Sequence, residues 1–332
     1  MLIEKKINEV PEWSVNKYLN RWCDYIELRC LKGTDNIITK DDVISWLLEG
    51  REDSGQENHA SYYDKLSEKV DLIFEQINFR SKAMKKFYPF DYDNECLSRK
   101  NYVDKYMIQY LFLLISSSLA FLDKSSMTKI TKDFEEYCKY IFNFLVSKDS
   151  QVYIFGTSRK NAFFSGNLRT RIEKLAKSLG AQTTKTFDKD KQYDVSGGDE
   201  GIDLVAFNKI DNASHIPVAL GQCTCSYTQW EIKQEEINQD AWVQKIMPLA
   251  PFGKYMFVSF FCRDANGKFE NETTITTCLI DRMRILKIIE RHEDEIYTNI
   301  SVKEQLKKIE CYCGNEFSNS IKKLCKDNMF SS

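Results

Sequence analysis

The sequence predicts an α/β fold in its C-terminal half, a mixed sheet flanked by helices, preceded by an all-α N-terminal half. Three observations predict it. Apolar residues recur at three- and four-residue intervals from about position 15 to position 146. The pattern changes near Ser147–Ser150, where the short apolar run Val152–Phe155 is followed by a helix and then by several β-like segments. These segments alternate with helical stretches in the order helix, strands, helix, strands, which is how an α/β layer structure is written along a chain. A chain of 332 residues can bury two cores. The boundary is therefore placed at Ser150, with residues 1–150 an all-α interaction or regulatory domain and residues 151–332 the α/β domain.

In the first half, helices are expected over residues 15–32, 40–48, 61–77, 101–122 and 129–146. The polar run 50–59 reads as an exposed loop, and Tyr88-Pro89-Phe90-Asp91-Tyr92 breaks the helical pattern because proline cannot continue it. The most apolar stretch, 107–122, contains Gln109 and three serines. It falls short of the roughly 20 apolar residues a bilayer span needs, so it reads as a buried helix with no role at a membrane. The N-terminus lacks the apolar core and cleavage site of a signal peptide, and the expected compartment is the cytoplasm. No motif in this half carries chemistry.

In the second half, the expected helix 166–179 keeps Leu168, Ile172, Leu175 and Leu179 on one stripe, and Gly180 stands at the C-cap. Its other face carries Arg169, Lys174 and Lys177. Strands follow at 182–187, 202–207 and 217–225, then a helix over about 228–247, strands at 254–261 and 273–280, and a last helix capped by Asp281.

Composition limits the partners. A net charge of −2 gives no global attraction to nucleic acid, so DNA contact has to come from a local patch or a partner subunit. Eleven cysteines are scattered through the chain with only three histidines and no Cys-x-x-Cys. The pairs Cys223/Cys225 and Cys311/Cys313 therefore make no zinc set, and reduced, packing thiols are expected.

Metal-assisted phosphodiester hydrolysis needs carboxylates to hold Mg²⁺ and a polar or cationic group near the attacking water. Strand alternation puts Asp203 on the face of Val205 and Phe207, at the start of an otherwise apolar strand. In the next strand, Gln222 and Thr224 share a face, with Cys223 opposite. An acid and a polar pair thus meet at neighbouring strand ends.

The run Gly198-Asp199-Glu200-Gly201-Ile202-Asp203-Leu204-Val205-Ala206, followed by Leu220-Gly221-Gln222-Cys223 and preceded by Leu179-Gly180, resembles the Mrr-like branch of the PD-(D/E)xK nucleases. The resemblance covers roughly residues 155–280 and none of the helical half. It implies a restriction-endonuclease-like fold and a Mg²⁺- or Mn²⁺-dependent endonuclease acting on DNA. Asp203 would be the main metal ligand and Gln222 would replace the second acidic ligand. Glu173 or Asp199 would add a further carboxylate. The family's lysine position is Thr224 here; in that superfamily the lysine sometimes moves to the following helix, which makes Lys233 the candidate. Gly-Gln-Cys followed by Trp230-Glu231-Ile232-Lys233 is also similar to nuclease-like proteins of bacterial defence loci. That implies an effector subunit of an antiphage or restriction system, with other subunits or further copies of the chain as partners. The plainer readings stand beside these: an acidic glycine turn as a loop, Lys233 and Glu173 as solvated helix positions, and a degenerate nuclease domain that binds nucleic acid or serves assembly.

Overall fold

The computed structural model describes residues 5–32, 36–49, 59–155, 162–195, 198 and 200–298. The chain divides into two compact units, one of Met1–Lys129, Ser259–Glu270 and Glu293–Ser332, the other of Ile130–Val258 and Asn271–His292. The division falls at Lys129/Ile130 rather than at Ser150, because the later part of the fifth helix packs on the sheet that follows it.

The first unit contains α1 (Leu19–Lys32), β1 (Ile37–Thr39), α2 (Lys40–Glu49), α3 (His59–Met84), β2 (Phe90–Asp93), β3 (Cys96–Arg99) and α4 (Lys105–Ser117). It is not all-α as the sequence suggested, since β1, β3 and β2 form a three-stranded sheet in that order. These strands are three or four residues long, too short to show period-two patterning. Their hairpin turns at Asn94-Glu95, both at positive φ (48° and 62°), the backbone that a two-residue type I′ turn requires. Asp104 caps α4 by accepting from the amides of Tyr106 and Met107, both at 2.9 Å. From Met107 to Ser117 every residue of α4 is buried, which accounts for its apolar sequence.

α5 (Lys124–Phe142) runs from the first unit into the second. Next come β4 (Gln151–Ile154), α6 (Leu168–Ser178), β5 (Gln182–Thr183), α7 (Lys185–Lys189), α8 (Gln192–Val195), β6 (Leu204–Phe207) and β7 (Val218–Thr224). The unit continues with α9 (Trp230–Gln234), α10 (Gln239–Val243), β8 (Ile246–Met247), β9 (Gly253–Val258), β10 (Cys278–Ile280) and α11 (Arg282–Arg291). The last described helix, α12 (Glu293–Thr298), belongs to the first unit, where Tyr297 packs edge-on against Tyr106.

The second unit is α/β, built on a five-stranded sheet of order β10-β9-β7-β6-β4. β6 is antiparallel to both β4 and β7, and β7, β9 and β10 are parallel, so the sheet is mixed. One face carries Val205, Phe207 and Leu220 against α6 and against Ile237, Trp242 and Ile246. On the other face Phe142 of α5 meets Tyr255 and Phe257 at ring separations of 4.9 and 5.4 Å. α6 buries Leu168, Ile172 and Leu175, each side chain stabilising by about 1.5–3 kcal/mol. Asn167 caps its start through the Thr170 amide, and Asp281 caps α11 through the Arg284 amide.

Three expected elements differ, one being the strand at 273–280, which shortens to β10 (Cys278–Ile280) after a 3₁₀ turn at Glu272–Thr274. The strand at 182–187 shrinks to β5, which pairs with β8 outside the main sheet, and Thr184 then caps α7. The helix over 228–247 is two short helices, because Asn238 takes an extended conformation and caps α10 through the Ala241 amide.

Candidate functional site

The β6–β7 ladder pairs Leu204 with Gly221 and then β6 runs out. β7 continues to Thr224, so the amide of Cys223 points toward a place where no β6 residue remains. Asp203 fills it: its Oδ2 accepts from the Cys223 amide at 2.8 Å. The Asp203 backbone is held on both sides, its N–H donating to the Gly221 carbonyl at 2.9 Å and its own carbonyl accepting from the Phe155 amide at 2.7 Å. The carboxylate is thus fixed one peptide from Gln222 and largely buried.

Gln222 lies on the α6 face of β7, in phase with Leu220, and is only 3% exposed. Its Nε2 donates to Glu236 Oε2 at 2.8 Å. Its Oε1 is buried with no hydrogen-bond partner among the described residues. A buried carbonyl oxygen without a donor costs about 1–3 kcal/mol, so this atom marks a place where a ligand would repay the protein.

The acidic turn before Asp203 is held by three neighbours. Arg171 of α6, 1% exposed, donates from Nη1 to the Phe155 carbonyl at 2.7 Å and from Nη2 to the Gly198 carbonyl. Lys245 pairs with Glu200 at 3.1 Å and also donates to the Ala241 carbonyl at 3.0 Å. Gly201, at φ +74°, sits against Glu236 so closely that a Cβ there would lie 2.4 Å from Glu236 Cβ. Behind the sheet, the thiols of Cys223 and Cys138 hydrogen-bond each other, and burial pushes both up. They are protonated packing groups, unlike the thiolates that bind metals.

The remaining candidates are dispersed. Thr224 is buried and its Oγ1 accepts from the Ser226 amide at 3.1 Å. Lys233 is half-buried in α9, a five-residue helix, and forms no ion pair among the described residues. α9 is held through Gln234, whose Oε1 accepts from the Thr276 amide at 3.1 Å and the Thr277 hydroxyl at 3.0 Å. Glu173 is exposed on α6, where its charge acts on Arg169. Arg169 itself pairs with Asp194, so the basic face of α6 is partly engaged within the unit. Asp199 lies outside the described residues. The structure therefore brings Asp203 and Gln222 to one ladder end.

Glu236 and Lys245 escaped the sequence reading. Both fall within the expected continuous helix, which breaks at Asn238; Lys245 is buried, whereas Glu236 is exposed and reaches Gln222 through its Oε2. Asn238 itself, a good N-cap residue in mid-stretch, was the available signal.

Among the described residues no cluster of three or more His, Cys, Asp or Glu side chains is placed to hold a metal ion. A cation at this site would have to use the Gln222 carbonyl as well as carboxylates. Mg²⁺ and Mn²⁺ accept such a hard, all-oxygen donor set. Asp203 and Gln222 Oε1 are oxygen donors of that kind.

Among the described residues, no helix is long and apolar enough to cross a membrane. Comparison with family models, with curated proteins and with solved structures finds no match to this chain.

Proposed function

We propose that the second unit is a restriction-endonuclease-like domain and that the chain is a Mg²⁺- or Mn²⁺-dependent endonuclease acting on DNA. The observation that carries this reading is the buried Gln222 Oε1, without a hydrogen-bond partner among the described residues, beside the fixed carboxylate of Asp203. When bound, a divalent cation supplies Lewis-acid polarisation of the phosphate and activation of water. Asp203 and Gln222 hold it; Lys233, the half-buried cation of α9 without an ion-pair partner among the described residues, offsets charge on the scissile phosphate. The near-neutral net charge fits delivery of DNA by a partner, as in a bacterial antiphage or restriction complex in which this chain is the effector subunit.

The test is incubation of the purified chain with supercoiled and linear DNA in Mg²⁺ or Mn²⁺, with and without chelator. Cleavage should require metal and disappear in Asp203→Ala, and Lys233→Ala should slow it by about 10²-fold. Metal-dependent cleavage that survives Asp203→Ala rejects the assignment.

A second reading keeps the fold without the reaction, as a nucleic-acid-binding or assembly subunit. Two observations favour it: Thr224 stands where the resembled family has lysine, and Asp203 already completes a strand ladder. DNA binding without cleavage, with neighbouring subunits present, is its expected outcome.

A further inference from the structure

A glutamine amide can present either its carbonyl or its NH₂ group, and the two ends are nearly isosteric. Which end faces a ligand depends on what holds the other. Here Nε2 of Gln222 is held by Glu236 Oε2 at 2.8 Å. Turning the amide over would set Oε1 against a carboxylate oxygen, two acceptors with no hydrogen between them. Glu236 therefore fixes the buried Oε1 away from itself, where it has no partner among the described residues.

A separate contact ties the same residue to the turn that leads into Asp203. A Cβ on Gly201 would approach Glu236 Cβ to 2.4 Å and the Glu236 carbonyl oxygen to 2.9 Å. Only glycine, with the φ of +74° found here, lets the turn lie flush on Glu236. One residue of the α9–α10 link thus sets the orientation of the Gln222 amide and supports the approach to Asp203.

We propose that Glu236 is a positioning residue: it orders the Gln222 amide so that its carbonyl oxygen, together with the Asp203 carboxylate, forms a divalent-cation site. This rests on the metal-dependent reading above but is tested by binding, separately from cleavage. The full chain is titrated with Mn²⁺ by calorimetry and by loss of the free-ion paramagnetic resonance signal. Wild type should bind Mn²⁺ and Asp203→Ala should lose it. Glu236→Ala, which frees the amide to turn, should weaken binding tenfold or more, the size expected when a ligand loses its orienting carboxylate. The exchanged pair Gln222→Glu with Glu236→Gln keeps one hydrogen bond between the same positions and leaves an oxygen facing the site. It should bind at least as tightly as wild type, because the orienting bond is kept and a carboxylate oxygen takes the place of the neutral carbonyl.

Mn²⁺ binding by Glu236→Ala as tight as wild type, with Asp203→Ala inactive in binding, overturns the role of Glu236 and leaves the metal site standing. Absence of binding in wild type overturns both. Binding that follows the predicted order without any DNA cleavage supports Glu236 and rejects the nuclease. If Glu236→Ala fails to fold, the exchanged pair and Glu236→Leu, which keeps the size and removes the acceptor, decide. Binding by the pair at least as tight as wild type with tenfold or greater weakening in Glu236→Leu supports the proposal, and wild-type affinity in Glu236→Leu rejects it.

Discussion

Arg80 shows what a single buried residue does in the first unit. It is fully buried and donates through Nη1 to Asp24 at 2.7 Å and Glu27 at 3.0 Å, and through Nη2 to the Asn20 carbonyl and side chain. Two carboxylates face one guanidinium, and the hydroxyls of Tyr88 and Tyr110 supply further bonds to Glu27. At the rim, Glu270 joins through Asn20, whose Nδ2 donates to it at 2.9 Å. Burial pushes the Glu270 carboxyl up to about 6, with Asp264 adding to the rise and Arg80 opposing it. The folded chain then holds a proton that the unfolded chain, at an ordinary value of 4.5, has released. Stability from this group is fully present below about pH 4.5 and is lost as pH rises through about 6. At about 1.4 kcal/mol per unit, the effect is at most about 2 kcal/mol. Glu270→Gln removes the titration, so the variant should gain on wild type by up to that amount between pH 4.5 and 7 in urea unfolding. A stability difference between the two chains that stays constant over that range rejects the shift.

At the level of elements, α6 was fully legible because its signals are local. The stripe of Leu168, Ile172, Leu175 and Leu179 sets its buried face. Gly180 ends it in a Schellman arrangement, Ala181 N–H to the Ala176 carbonyl at 2.9 Å and Gly180 N–H to Lys177 at 3.2 Å. Gly180 has φ +65°, and a Cβ there would lie 2.6 Å from the Ala213 carbonyl oxygen. Gly180→Ala should therefore destabilise the unit by about 1–3 kcal/mol, through both the backbone and that contact. A change under half a kilocalorie in denaturant unfolding contradicts this. The strand that follows Asp203 and the one that carries Gln222 were legible as short apolar runs, Leu204–Phe207 and Val218–Leu220, almost wholly buried. What was hidden depends on contacts distant in sequence. β1 to β3 are too short to carry a period, and the break between α9 and α10 rests on one asparagine. The pairing of Cys138 with Cys223 crosses 85 positions, and nothing near either residue announces it. The same holds for Glu236 against Gly201 and Lys245 against Glu200, so half of the candidate site was readable and its supports were not.

At the scale of the whole chain, neither compact unit is one continuous stretch of sequence. The second unit needs residues 130–150, because Phe142 packs on Tyr255 and Phe257, and Cys138 lies on Cys223 behind the Asp203 ladder end. The first unit needs Ser259–Glu270, a segment leaving β9 at Val258 and returning at Asn271. Within that segment the Arg263 carbonyl accepts from Asn20 at 2.8 Å and from Gln76 at 2.9 Å, and Phe261 lies against Arg80 and Tyr110. A cut at Ser150, the point where the sequence pattern changes, therefore takes core from both units. Losing Phe142 alone corresponds to removal of a buried aromatic side chain, about 3–5 kcal/mol, which is comparable to the lower end of a domain's total stability. A fragment of residues 151–332 should show no cooperative urea transition by circular dichroism, and one of residues 124–332 should recover it because it restores α5. A fragment 151–332 that unfolds cooperatively at the midpoint of the full chain's second unit would show that α5 is dispensable and that the composition boundary is the structural one.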